Sequence, residues 1–175
     1  LDKTGTITEG LPKVTNVVFD ANTEETELLT LAYSLEKQSE HPLSRAILQY
    51  GDEKGISPLS LTNFNVLAGN GLEGTIDGAT IRGGNEQFIS QFANITDSLK
   101  QEAARLAENG KTPMFFSKND TILGIIAVAD TIKKDARESI AELRAMGIKT
   151  VMLTGDNERT ARAIAKQAGV DEVVA

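Results

Sequence analysis

The 175-residue sequence contains no cysteine and a single histidine, His41. Without cysteine the chain cannot form a disulfide framework or a thiolate metal site, and one histidine is too few for a histidine-based metal cluster. No apolar run approaches the ~20 residues that a membrane-spanning helix requires. The net charge of −7 disfavours nucleic acid or an anionic membrane as a partner. What remains is a folded, acidic chain of one or two domains.

Hydrophobic periodicity divides the chain into two kinds of structure. Residues 10–129 hold short segments joined by tight turns, including an Asp77-Gly78 hairpin and a second hairpin around Lys118–Asp120. The later pattern of helix, strand, helix, strand is typical of a doubly wound parallel sheet. The sequence therefore predicts an α/β protein: an antiparallel-sheet domain with flanking helices, residues 10–129, inserted into a truncated Rossmann-like parallel domain, residues 1–9 and 130–175.

Three helices are predicted inside the inserted part. Asn22 and Glu25 have the spacing of a capping box, and leucines at helical spacing then favour a helix over residues 24–37. Pro42 fits the first turn of a second helix. A third helix over residues 97–109 ends before a glycine.

The chain begins with a motif suited to covalent phosphoryl chemistry. In Asp2-Lys3-Thr4-Gly5-Thr6, a carboxylate heads a turn and can attack the terminal phosphoryl group of ATP to form an aspartyl phosphate. Lys3 adds positive charge, and Gly5 lets backbone N–H groups approach phosphate oxygens. Asp130-Thr131-Ile132-Lys133 and Thr154-Gly155-Asp156 each follow an apolar run farther along. The three motifs, in this order, resemble the cytoplasmic catalytic unit of a P-type ATPase.

The resemblance implies a role for each residue at this end of the site. Asp2 would be the phosphoryl acceptor, with Lys3 neutralising phosphate charge and the Thr6 hydroxyl contacting phosphate. Mg²⁺ is expected between Asp2 and the triphosphate, held by the Asp2 carboxylate and the Thr4 carbonyl, because a hard cation screens the repulsion between two anions. The residues that would contact or orient the phosphates are Thr154, Gly155 and Asp156. Asp130 and Lys133 match a family motif near the phosphate, but a helix-start cap with a surface lysine is an equally good interpretation.

A second set of residues resembles an adenine site. Ser39-Glu40-His41-Pro42-Leu43 resembles the His-Pro signature of heavy-metal-transporting P-type ATPases, which lies in their inserted nucleotide-binding domain. The family's adenine site also uses a glutamate five residues earlier, a Gly-x-Gly-x-x-Gly loop and a Gly-Asn pair. The matching residues, with an apolar neighbour that would cover the base, are Glu36, His41, Gly69, Gly71, Leu72, Gly74, Gly84 and Asn85.

Each of these residues also has a simpler interpretation. His41 before a proline is typical of a helix start, Glu36 of a solvated helix face, and Gly84-Asn85 of a plain turn. The Gly-x-Gly-x-x-Gly precedes a hairpin and not a βαβ helix, so it does not predict a dinucleotide site. The joint occurrence of the set inside one insert favours ATP binding, in which Glu36 accepts a hydrogen bond from the adenine amino group.

The resemblance extends over nearly the whole chain and implies more than ATP and Mg²⁺. It implies a haloacid-dehalogenase-type parallel domain and the cytoplasmic part of an integral membrane enzyme. The partners would be transmembrane and actuator domains of the same protein, with a heavy-metal ion, copper(I) favoured over zinc or cadmium, bound outside this chain. Two other functions stay open: a non-catalytic nucleotide-binding module, and a soluble phosphatase. The phosphatase is disfavoured because Thr4 stands where those enzymes place a second carboxylate.

Both ends of the chain interrupt expected patterns. Only Leu1 precedes Asp2, although such a nucleophile normally ends a buried strand, and Val173–Ala175 resembles the start of another strand. We therefore expect a piece of a longer protein. Because the family's later Mg²⁺-binding and dephosphorylation motifs are absent, we expect the isolated chain to bind ATP with little or no turnover. We also expect the insert to be the more stable part.

Overall fold

A six-stranded antiparallel sheet forms the middle of the chain in the computed structural model, which describes residues 1–175. Its strands are β1 (Lys13–Phe19), β2 (Thr62–Leu67), β3 (Gly71–Ile76), β4 (Ala79–Gly84), β5 (Thr112–Lys118) and β6 (Thr121–Ala129). They lie in the order β1-β6-β5-β4-β3-β2. Both predicted hairpins are present, and Asp77 and Gly78 adopt positive φ values of 49° and 78°, as a type I′ turn requires.

Helices cover both faces of this sheet. The helices are α1 (Glu25–Glu36), α2 (Pro42–Glu53), α3 (Glu86–Ile89) and α4 (Asp97–Glu108). Phe116 and Ile126 belong to a core shared with α1 and α2, whereas their neighbours Phe115 and Ile125 belong to a second core with α3 and α4. Strands β5 and β6 are therefore buried on both sides, which explains their nearly continuous apolar sequences. We call this sheet and its four helices the antiparallel unit.

The remaining elements form a smaller α/β arrangement. They are α5 (Ala136–Ala145), β7 (Val151–Leu153), α6 (Glu158–Ala168) and β8 (Glu172–Val174), with β7 parallel to β8. Residues 3–7 form a wide turn that packs Ile7 into a core with Met152 and the inner face of α6. We call these elements the parallel unit. No helix in either unit has both the length and the apolar content to span a membrane.

The chain leaves the parallel unit and returns to it at one place. Lys13 of β1 pairs with Ala129 of β6, so the first and last strands of the antiparallel unit are neighbours. Thr8 forms an antiparallel bridge with Ile132, and the Glu9 N–H donates to the Thr131 carbonyl at 2.9 Å. The two crossings therefore run side by side.

This architecture confirms the predicted fold class, while the exact domain boundaries at 9/10 and 129/130 stay a prediction. The predicted capping box is wrong. Helix α1 begins at Glu25 with Glu24 at its N-cap and no side-chain cap, because the chain first turns at Asp20, whose carbonyl accepts from the Thr23 N–H at 2.9 Å. The Asn22 N–H donates to the Asp20 carboxylate instead, at 3.4 Å. The four-residue helix α3 was not predicted, because it is too short to show a period.

Candidate active site in the cleft between the two units

One cleft of about 650 Å³ runs between the antiparallel and parallel units. From the phosphoryl motifs it is lined by Lys3, Thr4, Thr154, Gly155 and Asp156. From the adenine motifs it is lined by Glu36, His41, Gly69, Gly71, Leu72, Gly84 and Asn85. Three predicted site residues, Asp2, Thr6 and Gly74, are not part of its lining. The fold thus brings most of both sets to one continuous space, although they are up to 150 positions apart in sequence.

Strand pairing places Asp2 at the edge of the parallel unit. Asp2 bridges in parallel to Leu153, and the Leu153 N–H donates to the Leu1 carbonyl at 2.8 Å. Asp2 and Thr154 therefore sit at the same end of two neighbouring extended segments, where α/β sheets bind ligands. The next residues turn sharply, with Gly5 at φ +77°, a conformation that glycine adopts without strain. The Asp2 side chain is exposed at this turn.

Lys3 and Asp156 form a nearly buried ion pair, with side-chain exposures of only 10 and 11%. The Asp156 N–H also donates to the Thr154 hydroxyl at 3.2 Å, and Thr112 of β5 approaches the other carboxylate oxygen at 3.5 Å. The charge of Lys3 is therefore compensated in this structure. An incoming phosphate would compete with Asp156 for the lysine ammonium group.

Asp130 lines the same cleft as Lys3 and Asp156, and its carboxylate also has a structural task. Its carboxylate accepts hydrogen bonds from the Thr8 hydroxyl at 2.5 Å and from the Gly10 and Leu11 N–H groups at 3.1 and 3.2 Å. It is not a helix cap, because α5 begins only at Ala136. Asp130 thus ties the two chain crossings together. Similarly, Lys133 is more than a surface lysine, since its ammonium group donates to the Gly5 carbonyl in the Asp2–Thr6 turn at 2.7 Å.

At the other end of the cleft, Glu36 is a buried carboxyl group and not a solvated one. It is 1% exposed, and its Oε2 accepts from the Ser44 hydroxyl at 2.5 Å. Its Oε1 is buried without any hydrogen-bond partner. Burial raises the pKa of Glu36 to about 7, against the opposing effect of the Ser44 hydrogen bond. A buried acceptor without a partner, on a residue that lines the cleft, is suited to a ligand donor such as an exocyclic amino group.

His41 is both a helix-start residue and part of the cleft lining. It is the N-cap of α2, where its Nδ1 accepts from the Leu43 N–H at 3.2 Å, and it lines the rim of the cleft. Because Nδ1 is an acceptor, the neutral ring must carry its proton on Nε2. Helix capping therefore fixes the tautomer that the ring presents to the cleft.

Backbone packing accounts for the glycines as much as a ligand would. A Cβ on Gly71 would lie 2.2 Å from the Gly83 carbonyl oxygen, and one on Gly84 would lie 2.4 Å from the Asn70 carbonyl oxygen. The predicted Gly-x-Gly-x-x-Gly loop is mostly strand: only Gly69 lies in a turn, with φ +75°, while Gly71 and Gly74 belong to β3. Gly74 makes room for the Leu61 side chain instead of lining the cleft.

Asn85 joins the two glycine segments. Its Oδ1 accepts from the Phe88 N–H at 2.8 Å, which caps α3, and its Nδ2 donates to the Gly69 carbonyl at 3.2 Å. Gly84-Asn85 is therefore not a plain turn, because it fixes the turn at Gly69 against the end of β4. This arrangement gives one wall of the cleft a rigid backbone.

Ser44 is the residue that sequence reasoning missed. It is 1% exposed, lines the cleft and makes the only hydrogen bond to the Glu36 carboxyl group. Its position two residues after Pro42, on the inner side of the first helical turn, is the available signal. That signal has meaning only once Glu36 is known to be buried opposite it.

Fold and cleft together define an α/β domain that carries an antiparallel insert, with a cleft between the two. A family model for haloacid dehalogenase-like hydrolases matches residues 1–175, and the chain belongs to that family.

Among individual proteins, the chain is similar to P-type ATPases of metal transport. It is 43% identical over 171 residues to a probable copper-importing P-type ATPase A of Enterococcus hirae and 42% identical over 174 residues to a copper-exporting P-type ATPase of Staphylococcus haemolyticus. These alignments cover 98 and 99% of this chain but only 23 and 21% of the relatives. A crystal structure of a zinc-transporting PIB-type ATPase in its E2.Pi state matches with a TM-score of 0.71 and 36% identity, over 98% of this chain and 28% of that one. The chain thus spans about a fifth to a quarter of these two relatives and 28% of the zinc transporter, and the expected resemblance to heavy-metal P-type ATPases is confirmed.

Proposed function

We propose that this chain is the ATP-binding and aspartyl-phosphorylation region of a heavy-metal-transporting P-type ATPase. The observation that carries the proposal is the single cleft, which joins the adenine residues Glu36 and His41 to the phosphoryl residues Lys3 and Asp156. The similarity over the whole chain to copper and zinc P-type ATPases supports it. In the full-length protein, transmembrane and actuator domains would complete the enzyme, with this region on the cytoplasmic side.

In the proposed complex the base enters the antiparallel side of the cleft. The open Oε1 of Glu36 accepts from the adenine amino group, and the His41 ring presents its Nε2 proton at the rim. Leu72, which is buried at 8% exposure, supplies apolar contact to the base. The glycine wall at Gly69, Gly71 and Gly84 lets backbone approach the nucleotide without intervening side chains.

The triphosphate then extends toward the parallel unit. A carboxylate oxygen of Asp2 attacks the γ-phosphorus, the bond from that phosphorus to the bridging oxygen of the β-phosphate breaks, and ADP leaves with the electron pair. Lys3, released from its pair with Asp156, neutralises charge on the transferred group, while Thr154 and Gly155 orient it. Thr4 supplies no second carboxylate to activate water, so the aspartyl phosphate is expected to persist.

Mg²⁺ fits this end of the site as an ion that the protein and the nucleotide bind together, and not as an ion that the protein binds alone. The chain holds no group of three or more acidic, histidine or cysteine side chains that could bind a metal by themselves. The Asp2 carboxylate and the Thr4 carbonyl provide hard oxygen ligands, to which phosphate oxygens would add. When bound, the ion would screen the repulsion between Asp2 and the triphosphate.

Copper(I) export is the proposed transport reaction of the full-length protein. It is supported by the names of relatives such as that of Staphylococcus haemolyticus. Metal uptake into vesicles carrying the full-length protein would test both cargo and direction: ATP-dependent uptake of copper(I) into inside-out vesicles supports export. Uptake of zinc or cadmium alone, or uptake into right-side-out vesicles, would overturn this part of the proposal.

ATP binding is tested by calorimetric titration of the purified chain. We expect saturable binding that is weakened at least tenfold by His41→Gln and by Gly71→Asp, because the first removes the rim contact and the second fills the glycine wall. Gly55→Asp is the control, since Gly55 lies outside the cleft with open space around it, so an aspartate there cannot reach the nucleotide. Unlike Gly71, Gly55 has a positive φ, +70°, so its substitution also shows the effect of backbone strain alone. Equal affinity in all variants would place the nucleotide elsewhere, and sustained ATP hydrolysis by the isolated chain would contradict the expected lack of turnover. A circular dichroism melt of each variant separates lost binding from lost folding.

A further inference from the structure

A short chain of hydroxyl groups connects the start of α2 to the buried carboxyl group at the end of α1. The Ser44 hydroxyl lies 2.5 Å from Glu36 Oε2 and 2.8 Å from the Ser39 hydroxyl. The His41 N–H donates to the Ser39 hydroxyl oxygen at 3.2 Å. Both Ser44 and Glu36 are only 1% exposed, so water does not compete for the hydrogen bond between them.

Proton counting ties the direction of these hydrogen bonds to the charge of Glu36. Ser44 has one hydroxyl proton, so it cannot donate to both Glu36 and Ser39. When Glu36 is ionised, Ser44 donates to it and Ser39 donates to Ser44. When Glu36 is protonated, Glu36 can donate to Ser44 and Ser44 to Ser39, which accepts from the His41 N–H in both cases. Only the ionised form directs every donor toward Glu36, and in that form Oε1 remains an acceptor without a partner.

We propose that Ser44 is a positioning residue that stabilises the anionic form of Glu36 and leaves Oε1 without a partner for a ligand donor, so that nucleotide binding displaces the proton wherever Glu36 carries one. The proposal rests on the proposed ATP function and deepens it. A carboxylate has only acceptor sites, whereas a protonated carboxyl group also carries a donor, and the adenine amino group is a donor. A hydrogen bond to the charged form is about twice as strong as one between neutral groups. Binding should therefore select the ionised form.

The raised pKa of Glu36, about 7, places the expected proton release near neutrality. Its two causes are burial, which raises the pKa, and the Ser44 hydrogen bond, which lowers it. No charged neighbour is among them. The titratable or charged groups on the elements packed against α1 and across the cleft are Lys13, His41, Arg45, Asp52, Glu53, Glu73, Arg82, Lys3, Asp130 and Asp156.

The sign of the pH effect follows from these facts. In the chain without ATP, most Glu36 side chains are protonated when the pH lies below their pKa. ATP binding must then first remove this proton, so the affinity for ATP falls as the pH falls. If the bound form is ionised throughout, affinity should rise ~10-fold between pH 6 and pH 8, and binding at pH 7 should release about half a proton per ATP. Removing the Ser44 hydroxyl raises the pKa further, which moves the whole rise to higher pH.

The experiment is calorimetric titration of ATP into the chain from pH 6 to pH 9. Each titration is done in two buffers of different ionisation enthalpy, because the difference in heat between them gives the number of protons released. Glu36→Gln is titrated in parallel, and its proton release is subtracted because the ATP phosphates contribute equally in both titrations. For Ser44→Ala we expect ATP binding about fivefold weaker at pH 7 and nearly restored by pH 9, if the lost hydrogen bond changes the proton affinity of Glu36 about tenfold. Ser44→Thr, which keeps the hydroxyl, should restore the original pH profile.

Ser34→Ala is the matched control. Ser34 is also a buried serine of α1, 2% exposed, but it bonds the Thr30 carbonyl and the Leu59 N–H away from the cleft. Its loss should lower stability without moving the pH profile. A Ser44→Ala profile that is uniformly lowered, with an unchanged midpoint, would reduce Ser44 to a packing role and overturn the inference.

The outcomes also separate this inference from the proposed function. ATP binding whose Glu36-dependent proton release is zero at every pH overturns the inference and leaves the ATP function standing. No ATP binding at any pH, in a chain that melts cooperatively, overturns both. Should Ser44→Ala fail to fold, the comparison of the unmodified chain with Glu36→Gln still decides whether Glu36 releases a proton.

Discussion

The two units that share the cleft are built on very different amounts of core. The antiparallel unit has six strands and two buried clusters of 14 and 11 residues, one on each face of its sheet. The parallel unit has two strands and one cluster of eight residues. Apolar burial is the main stabilising term in folding, so most of the stability should reside in the antiparallel unit. The wall of the cleft that carries Glu36 and His41 therefore belongs to the more stable unit, whereas Lys3 and Asp156 lie on the less stable one.

Exposed strand residues show the same contrast. Phe115, Phe116 and Ile126 in the antiparallel unit are at most 1% exposed, whereas Leu153 and Val174 of the parallel pair are 52 and 57% exposed. Parallel strands are normally covered on both faces. The contrast holds for the central strands only, because Val66 and Leu67 of the edge strand β2 are 65 and 37% exposed and line the cleft from the antiparallel side.

The largest expected effect is on the core between the antiparallel sheet and its first two helices. Phe116→Ala should lower the free energy of unfolding by about 3–5 kcal/mol, because it empties a fully buried site. Phe19→Ala, at a site that is 46% exposed, is the control and should cost much less. Native-state hydrogen exchange followed during urea unfolding gives the free energy for each unit. Slower exchange in β7 than in β5 of the unmodified chain would reverse the stability order inferred above.

A smaller effect distinguishes the buried charges of the two units. Lys3 is paired with Asp156, whereas Glu36 is buried without a cation, and its pKa is raised from 4.5 to about 7. The folded state therefore binds more protons than the unfolded state between these values, so stability falls as the pH rises. In the unmodified chain, Glu36 should lower the free energy of unfolding by about 2–3 kcal/mol between pH 5 and pH 8. This decrease should be absent in Glu36→Gln. Urea unfolding at the two pH values measures it, and an equal loss in Glu36→Gln would show that Glu36 is not its source.

The smallest expected effect is the difference in stability between alanine substitutions at two glycines. Gly124 of β6 has φ +153°, and a Cβ there would lie 2.2 Å from the Val18 carbonyl oxygen of β1. Gly147 after α5 has φ +77° with open space around it. We expect Gly124→Ala to cost about 2–3 kcal/mol through overpacking and Gly147→Ala about 1 kcal/mol through backbone strain. Thermal melts of both variants test this prediction. If Gly147→Ala lowered the stability more than Gly124→Ala, the strands at Gly124 would have to separate easily.

The sequence predicted features that depend on neighbouring residues better than features that depend on burial. Asp77-Gly78 specifies its own hairpin, and the Gly110 and Gly169 helix ends need only a left-handed residue, so the strand and helix order could be predicted. Whether Glu36 is solvated depends on α2 folding back over it, which periodicity does not specify. For the same reason the sequence could not show that Ser44 bonds Glu36 or that Asp156 pairs with Lys3. Most of the site residues that the sequence predicted do line the cleft, apart from Asp2, Thr6 and Gly74, but their pairing depends on how two distant units meet.

The paired crossings at Thr8 and Ile132, held by Asp130, have a consequence for how such a chain can be assembled and rebuilt. Since β1 and β6 are neighbours, the antiparallel unit starts and finishes at nearly the same point in space. Its more than one hundred residues therefore act on the parallel unit like a very short loop, and closing that loop costs little chain entropy once the insert has folded. The antiparallel unit could therefore be exchanged for another fold with adjacent termini while Asp2 and Asp156 keep their relative positions.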